Sequence, residues 1–180
     1  PLNDVRVRKA LAFAVDKPLL AVVPAGGIVP PLPGYPGPFT PEDGLSSGAG
    51  AGFDPETARD YLKQAGYPKG AGFPTIEILY NSSDEHEKIG KLVKNQWQEN
   101  LGISCRLEEK KWKSYLAYRR AGEFQLVRAG WRSDFSDPGS FLSIFVSGNP
   151  YNCGRYSNSK FDALMREAAE ESGPERPALF

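Results

Sequence analysis

The run Gly130-Trp131-Arg132-Ser133-Asp134-Phe135-Ser136-Asp137-Pro138-Gly139 places aromatic rings, two carboxylates and a Pro/Gly stop close together. It follows a strand-like stretch, residues 124–129, so Asp134 falls on a loop leaving a strand. A carboxylate there, beside a tryptophan, can hold a cation: the ring offers a π-face and a dry wall, the carboxylate the countercharge. Loops at the carboxyl ends of strands are also where open α/β sheets bind ligands. The alternative for Asp134 is a cap on the next turn, the role that Asp137-Pro138 suits. Trp131 is equally readable as core packing, and a pocket wall is compatible with that.

Other residues carry chemistry more weakly. Trp112 opens a helix, where an exposed ring could line a cleft or a buried one fill a core. Arg119 lies near a helix C-terminus, where a cation favours the helix dipole. Arg128 lies on the strand entering the Asp134 loop, and a structural partnership with a carboxylate suits it as well as ligand contact does. His86 is the only histidine. One in the first turn of a helix is commonly a surface residue, and one alone cannot build a His-based metal site. No G-x-S-x-G, HExxH or C-x-x-C occurs. Asp134 and Asp137 could imitate a glycosidase pair, but their spacing on one loop is common by chance. No enzymatic activity, cofactor or metal is expected.

These residues need elements to position them. Val7, Ala10, Leu11, Ala14 and Val15 fall at helical spacing, so 4–15 reads as an amphipathic helix that Pro18 stops. Residues 24–52 are rich in Gly and Pro and form an irregular segment. Asp54-Pro55-Glu56 opens a helix ended by Gly66. Strands are expected at 75–80, 103–108 and 124–129. Helices are expected from the capping box Ser82-x-x-Glu85 to Asn100, over 112–120, over 138–146 and over 159–171. The β-α-β-α-β order predicts an α/β lobe with a mainly parallel sheet.

Composition narrows the function classes. The 180 residues are 40% hydrophobic, enough for a core, and carry 22 Lys plus Arg against 22 Asp plus Glu. That balance argues against nucleic acid or an anionic membrane surface as main partner. No apolar run approaches the roughly 20 residues that span a bilayer. Pro1 is not an initiator, so the chain is expected to begin inside a longer protein and to stop arbitrarily at Phe180. Cys105 alternates with Ile103 and Leu107 and is expected to face the core as a free thiol. A bridge to Cys153 stays open.

Several stretches resemble the peptide-binding (family 5) solute-binding proteins of bacterial ABC importers, and among them the oligopeptide-binding members. These are Asn3-Asp4-Val5-Arg6-Val7-Arg8-Lys9-Ala10-Leu11, Ala58-Arg59 with Ala65-Gly66-Tyr67-Pro68, and Leu79-Tyr80-Asn81-Ser82-Ser83-Asp84-Glu85-His86. Trp97 through Ile103, Trp112-Lys113 and Arg128-Ala129-Gly130-Trp131 continue the series in family order, whereas 24–52 matches poorly. The resemblance implies most of the C-terminal lobe of a two-lobed, periplasmic-binding-protein-like fold, spanning 1–180. It implies capture of oligopeptides between lobes and delivery to membrane permease subunits, by a monomer in the periplasm or lipid-anchored on the outer face of the cytoplasmic membrane. It places Asp134 on the peptide's α-ammonium, Trp131 and Trp112 against the peptide, Arg128 and Arg119 on ligand carboxylates or ordering the Asp loop, and His86 and Asn81 near the far end of the peptide. Arg132 departs from the pattern, since an oligopeptide binder of this kind has cysteine there. A dipeptide, nickel chelate, sugar or opine is the alternative ligand, because the Trp-x-x-Asp run occurs across the family.

Overall fold

The structure, a computed structural model, describes residues 1–22, 52–132 and 137–171. The irregular segment expected at 24–52 lies outside the described residues except for Gly52, and so does Asp134. The described residues divide into two compact units. The first comprises 1–22, 52–119 and 123–129; the second comprises 120–122, 130–132 and 137–171.

The first unit is built on a three-stranded sheet of β1 (Ile76–Asn81), β2 (Cys105–Lys110) and β3 (Leu126–Val127). Their order is β2-β1-β3, and both pairings are parallel. Helix α4 (Asp84–Leu101) connects β1 to β2, and α5 (Trp112–Ala121) follows β2. The expected β-α-β-α-β parallel arrangement is therefore present. Central β1 is buried on both faces, as a parallel strand between layers must be.

Two further helices, α1 (Val5–Phe13) and α3 (Pro55–Gln64), pack on each other and extend the core. That core holds Val7, Ala10 and Leu11 of α1, Ala58 and Leu62 of α3, Ile76 and Ile78 of β1, and Trp97 and Leu101 of α4. Ala14, Val15, Ile103 and Cys105 complete it. Both cysteines are free thiols, and burial pushes the Cys105 thiol up to about 11.

Side chains of α4 tie the end of α1 to this core. The last carbonyls of a helix lack intrahelical donors. Here the buried Trp97 Nε1 donates to Leu11 O at 2.9 Å and Asn100 Nδ2 donates to Ala14 O at 3.0 Å. Gln96 Oε1 accepts from Asp16 N at 2.7 Å.

Asp54 caps α3 by accepting from the Glu56 and Thr57 amides, with Pro55 in the first turn, as its sequence implies. Three details differ from expectation. Pro18 does more than stop α1: it lies in the first turn of a new helix, α2 (Lys17–Val22), where its missing N–H costs nothing and Asp16 Oδ1 accepts from Leu19 N. The Ser82 capping box does not form. The cap position of α4 is Ser83, without a side-chain bond, because Ser82 is engaged with Lys110 O through both its amide and its hydroxyl. Strand β3 is shorter than 124–129, since Glu77 N is accepted by the Gln125 side chain and not by a strand carbonyl.

The second unit contains α6 (Pro138–Leu142), a 3₁₀ turn at Ser143–Phe145 and α7 (Ser159–Glu170). Asp137 caps α6 and Asn158 caps α7. Asn152 organises the intervening loop: its Nδ2 donates to Phe145 O, Val146 O and Tyr156 O, and its Oδ1 accepts from Tyr156 N.

Candidate functional site

Because all three strands are parallel, their carboxyl ends share one edge, and Asn81 pairs with Lys110 there. Four candidate residues belong to this edge. Asn81 ends β1, His86 lies in the first turn of α4, Trp112 begins α5 directly after β2, and Arg128 follows β3. The Arg128 backbone is fixed twice: its amide donates to Leu79 O at 2.9 Å, and its carbonyl accepts from Tyr115 Oη at 2.5 Å.

Asn81 is 9% exposed, yet its Oδ1 has no hydrogen-bond partner among the described residues; nor has His86 Nδ1. Buried polar atoms are normally paired, so the two orphans on one edge mark places where an incoming polar group would be favoured, a donor at Asn81 Oδ1 and a donor or acceptor at His86 Nδ1 according to its tautomer. His86 and Arg128 also border an apolar crevice of about 210 Å³, walled by Ile78, Tyr80, Ile89 and Trp97. Burial first, then the charges of Glu109 and Glu87, push the Tyr80 phenol up, keeping it neutral in that wall.

Trp112 is 58% exposed and stacks on Tyr115, with ring centroids 5.5 Å apart and planes 23° apart. It is thus an exposed platform and not a core ring. Nearby, Lys110 Nζ pairs with Glu108 Oε1 at 2.8 Å and lies 4.2 Å from the Tyr118 ring centroid. The hydrogen bond to Glu108 raises the Lys110 pKa, so the edge carries a committed cation.

Arg119 sits in the last turn of α5, about 10 Å along the helix from Trp112 at 1.5 Å per residue. Its Nε is buried without a partner among the described residues. Trp131 belongs to the second unit, where it is 37% exposed, donates from Nε1 to Ser140 O at 2.9 Å and meets Tyr151 edge to face at 4.9 Å. Sequence reasoning missed Tyr115. Its spacing of three from Trp112 on one helix was the available signal, because residues three apart share a helix face.

Residues 1–153 match the family "Bacterial extracellular solute-binding proteins, family 5 Middle". Among curated relatives, the periplasmic oligopeptide-binding protein OppA of Escherichia coli is 34% identical over the whole of this chain, which spans 34% of that protein's length. The probable deoxycholate-binding periplasmic protein YgiS of the same organism is 36% identical, again over the whole chain and 34% of its own length. Among solved structures, OppA of Haemophilus influenzae in complex with RPPGFSPFR matches with a TM-score of 0.86 at 29% identity, covering 99% of this chain and 36% of that one. A periplasmic oligopeptide-binding protein from Borrelia burgdorferi gives 0.79 at 35% identity, with the same coverage of 99% and 36%. The chain spans about a third of the length of the curated relatives it matches. Its parallel α/β sheet, its sequence along 1–153 and these fold matches agree: the chain belongs to the family 5 bacterial extracellular solute-binding proteins.

Proposed function

We propose that this chain forms most of one lobe of a longer two-lobed binding protein that captures oligopeptides and delivers them to an ABC permease. The observation that carries this reading is the convergence of Asn81, His86, Trp112 and Arg128 on the carboxyl edge of the sheet, where ligands of open α/β sheets bind. The orphaned Asn81 Oδ1 is an acceptor for a peptide N–H, His86 Nδ1 is a polar contact that accepts or donates according to its tautomer, and the exposed Trp112 is a surface for a side chain. Asp134 holds the peptide's α-ammonium, and Trp131 and Arg128 each add a ligand contact from their own unit. Arg119, whose Nε is buried without a partner among the described residues, binds a ligand carboxylate or orders the Asp134 loop. The protein works without catalysis, as a monomer, outside the cytoplasmic membrane. No helix among the described residues is long and apolar enough to cross a membrane, in keeping with a separate permease as the membrane partner.

One observation favours a second reading. Identity to the probable deoxycholate-binding relative, 36%, is as high as the 34% to the oligopeptide binder, and the crevice beside His86 is almost wholly apolar. An amphipathic carboxylate would place its ring system there and its charge at Arg128. Titration calorimetry on the intact protein separates the two. Tri- to pentapeptides are expected to bind at least tenfold more tightly than deoxycholate. Saturable binding of deoxycholate with no heat from a mixed peptide pool would replace the peptide reading.

A further inference from the structure

Tyr115 touches two proposed ligand contacts at once. Its side chain is almost fully buried, at 1% exposure. Its ring lies under the exposed Trp112 indole, 5.5 Å away and nearly parallel. Its hydroxyl donates to the Arg128 carbonyl at 2.5 Å. Arg128 is where the chain leaves β3, a strand of only two residues, towards Asp134 in the sequence. So short a strand gives its exit few ladder bonds, and the bonds to Leu79 O and Tyr115 Oη are those that hold it.

We propose that Tyr115 is a positioning residue for the ligand site. Its ring sets the plane of Trp112 and its hydroxyl fixes the backbone that presents Arg128. An exposed indole without a rigid support would sample several rotamers, and ordering it would then cost affinity at each binding event. A buried phenol beneath it meets that cost during folding. The hydroxyl does the same for the strand exit, since a lost donor leaves the part-buried Arg128 carbonyl without its protein partner and the backbone free to turn towards water. The two halves of the role are separable, because Phe keeps the ring and removes only the hydroxyl.

This role rests on the peptide-binding reading, and the test distinguishes the two. Intact wild-type, Tyr115→Phe and Tyr115→Leu proteins are titrated with Ala-Ala-Ala and Ala-Trp-Ala, and unfolding by urea is followed in parallel. Tyr115→Phe should weaken both peptides by about tenfold, mainly through faster dissociation. Tyr115→Leu should in addition shrink the preference between the two peptides by about threefold, and in a Trp112→Ala background that extra effect should vanish. A purely structural tyrosine would lower the urea midpoint and leave the affinity of the folded protein unchanged. Folded Tyr115→Phe protein that binds both peptides within twofold of wild type overturns the proposal, whether or not Tyr115→Leu folds. Wild-type protein that binds neither peptide overturns the peptide reading, and the positioning role with it.

Discussion

Replacing Trp97 by Phe tests how the lobe is held together. Trp97 is 7% exposed and lies among Leu11, Leu62, Ile78 and Leu101 in the core. Its indole N–H is the donor for Leu11 O in the last turn of α1, at 2.9 Å. Phenylalanine keeps most of the apolar contact but offers no donor. An orphaned buried carbonyl costs about 1–3 kcal/mol. The missing part of the ring leaves a void that costs roughly a further 1–2 kcal/mol. A loss of about 2–5 kcal/mol is therefore expected. At roughly 2 kcal/mol per molar urea, it moves the unfolding midpoint down by about 1–2.5 M. The assay is urea unfolding of the 180-residue chain followed by far-ultraviolet circular dichroism, which does not depend on tryptophan emission. Asn100→Ala is the internal comparison. It removes a similar bond, to Ala14 O at 3.0 Å; Ala14 is itself buried, but loss of the half-buried Asn100 side chain opens a path for water to that carbonyl, so it should cost only about 0.5–1 kcal/mol. If Trp97→Phe costs no more than Asn100→Ala, the clamp between α4 and α1 is not what stabilises that junction.

Two further outcomes follow from the first unit. Gly102 ends α4 at φ +70°, and a Cβ there would fall 2.6 Å from Lys69 O, whereas Gly66 has φ +93° and open space. Gly102→Ala should thus cost about 2–4 kcal/mol, and Gly66→Ala only the left-handed backbone penalty of about 1–2 kcal/mol, both read by urea unfolding. The Cys105 thiol, raised by burial from 9.0 to about 11, stays protonated and shielded at pH 8. A disulfide reagent at that pH should label Cys153 quickly and Cys105 only on unfolding. Between pH 9 and 11 the unfolded thiol releases its proton while the folded one keeps it, so stability should fall as pH rises through that window, and Cys105→Val should flatten the slope.

Much of the architecture is legible in the sequence because the signals are local. Asp54-Pro55-Glu56 is a cap, a first-turn proline and a first-turn acid in consecutive positions, and the chain folds there as the pattern requires. Ile103, Cys105 and Leu107 alternate and form the core face of β2 and its approach. What was misread depends on partners far along the chain. Ser82 could cap α4, but Lys110 takes its hydroxyl instead. Residues 124–129 have strand-like composition, but Gln125 spends its side chain on Glu77 N. Among the candidate contacts, Asn81 and His86 share one stretch of sequence while Trp112 and Arg128 come from two others, and only parallel pairing aligns their strand ends. The importance of Tyr115 was hidden for the opposite reason. Its link to Arg128 crosses from a helix to a strand exit, and nothing in residue type or spacing announces that bond.

The most direct measurement is a double cycle of calorimetric titrations on the intact protein. It combines wild type and Asp134→Asn with one tripeptide in its free and N-acetylated forms. Pairing of Asp134 with the peptide ammonium in a closed, dry cleft means that removing either partner strands a buried charge, at a cost of about 3–5 kcal/mol. Each single change should therefore weaken binding by about 100-fold or more, at ~1.4 kcal/mol per decade. The acetylated peptide should lose far less on going from wild type to mutant, since its pair is already broken. Single changes that each cost under about tenfold, with effects that simply add, would contradict capture of a peptide by its amino terminus at Asp134.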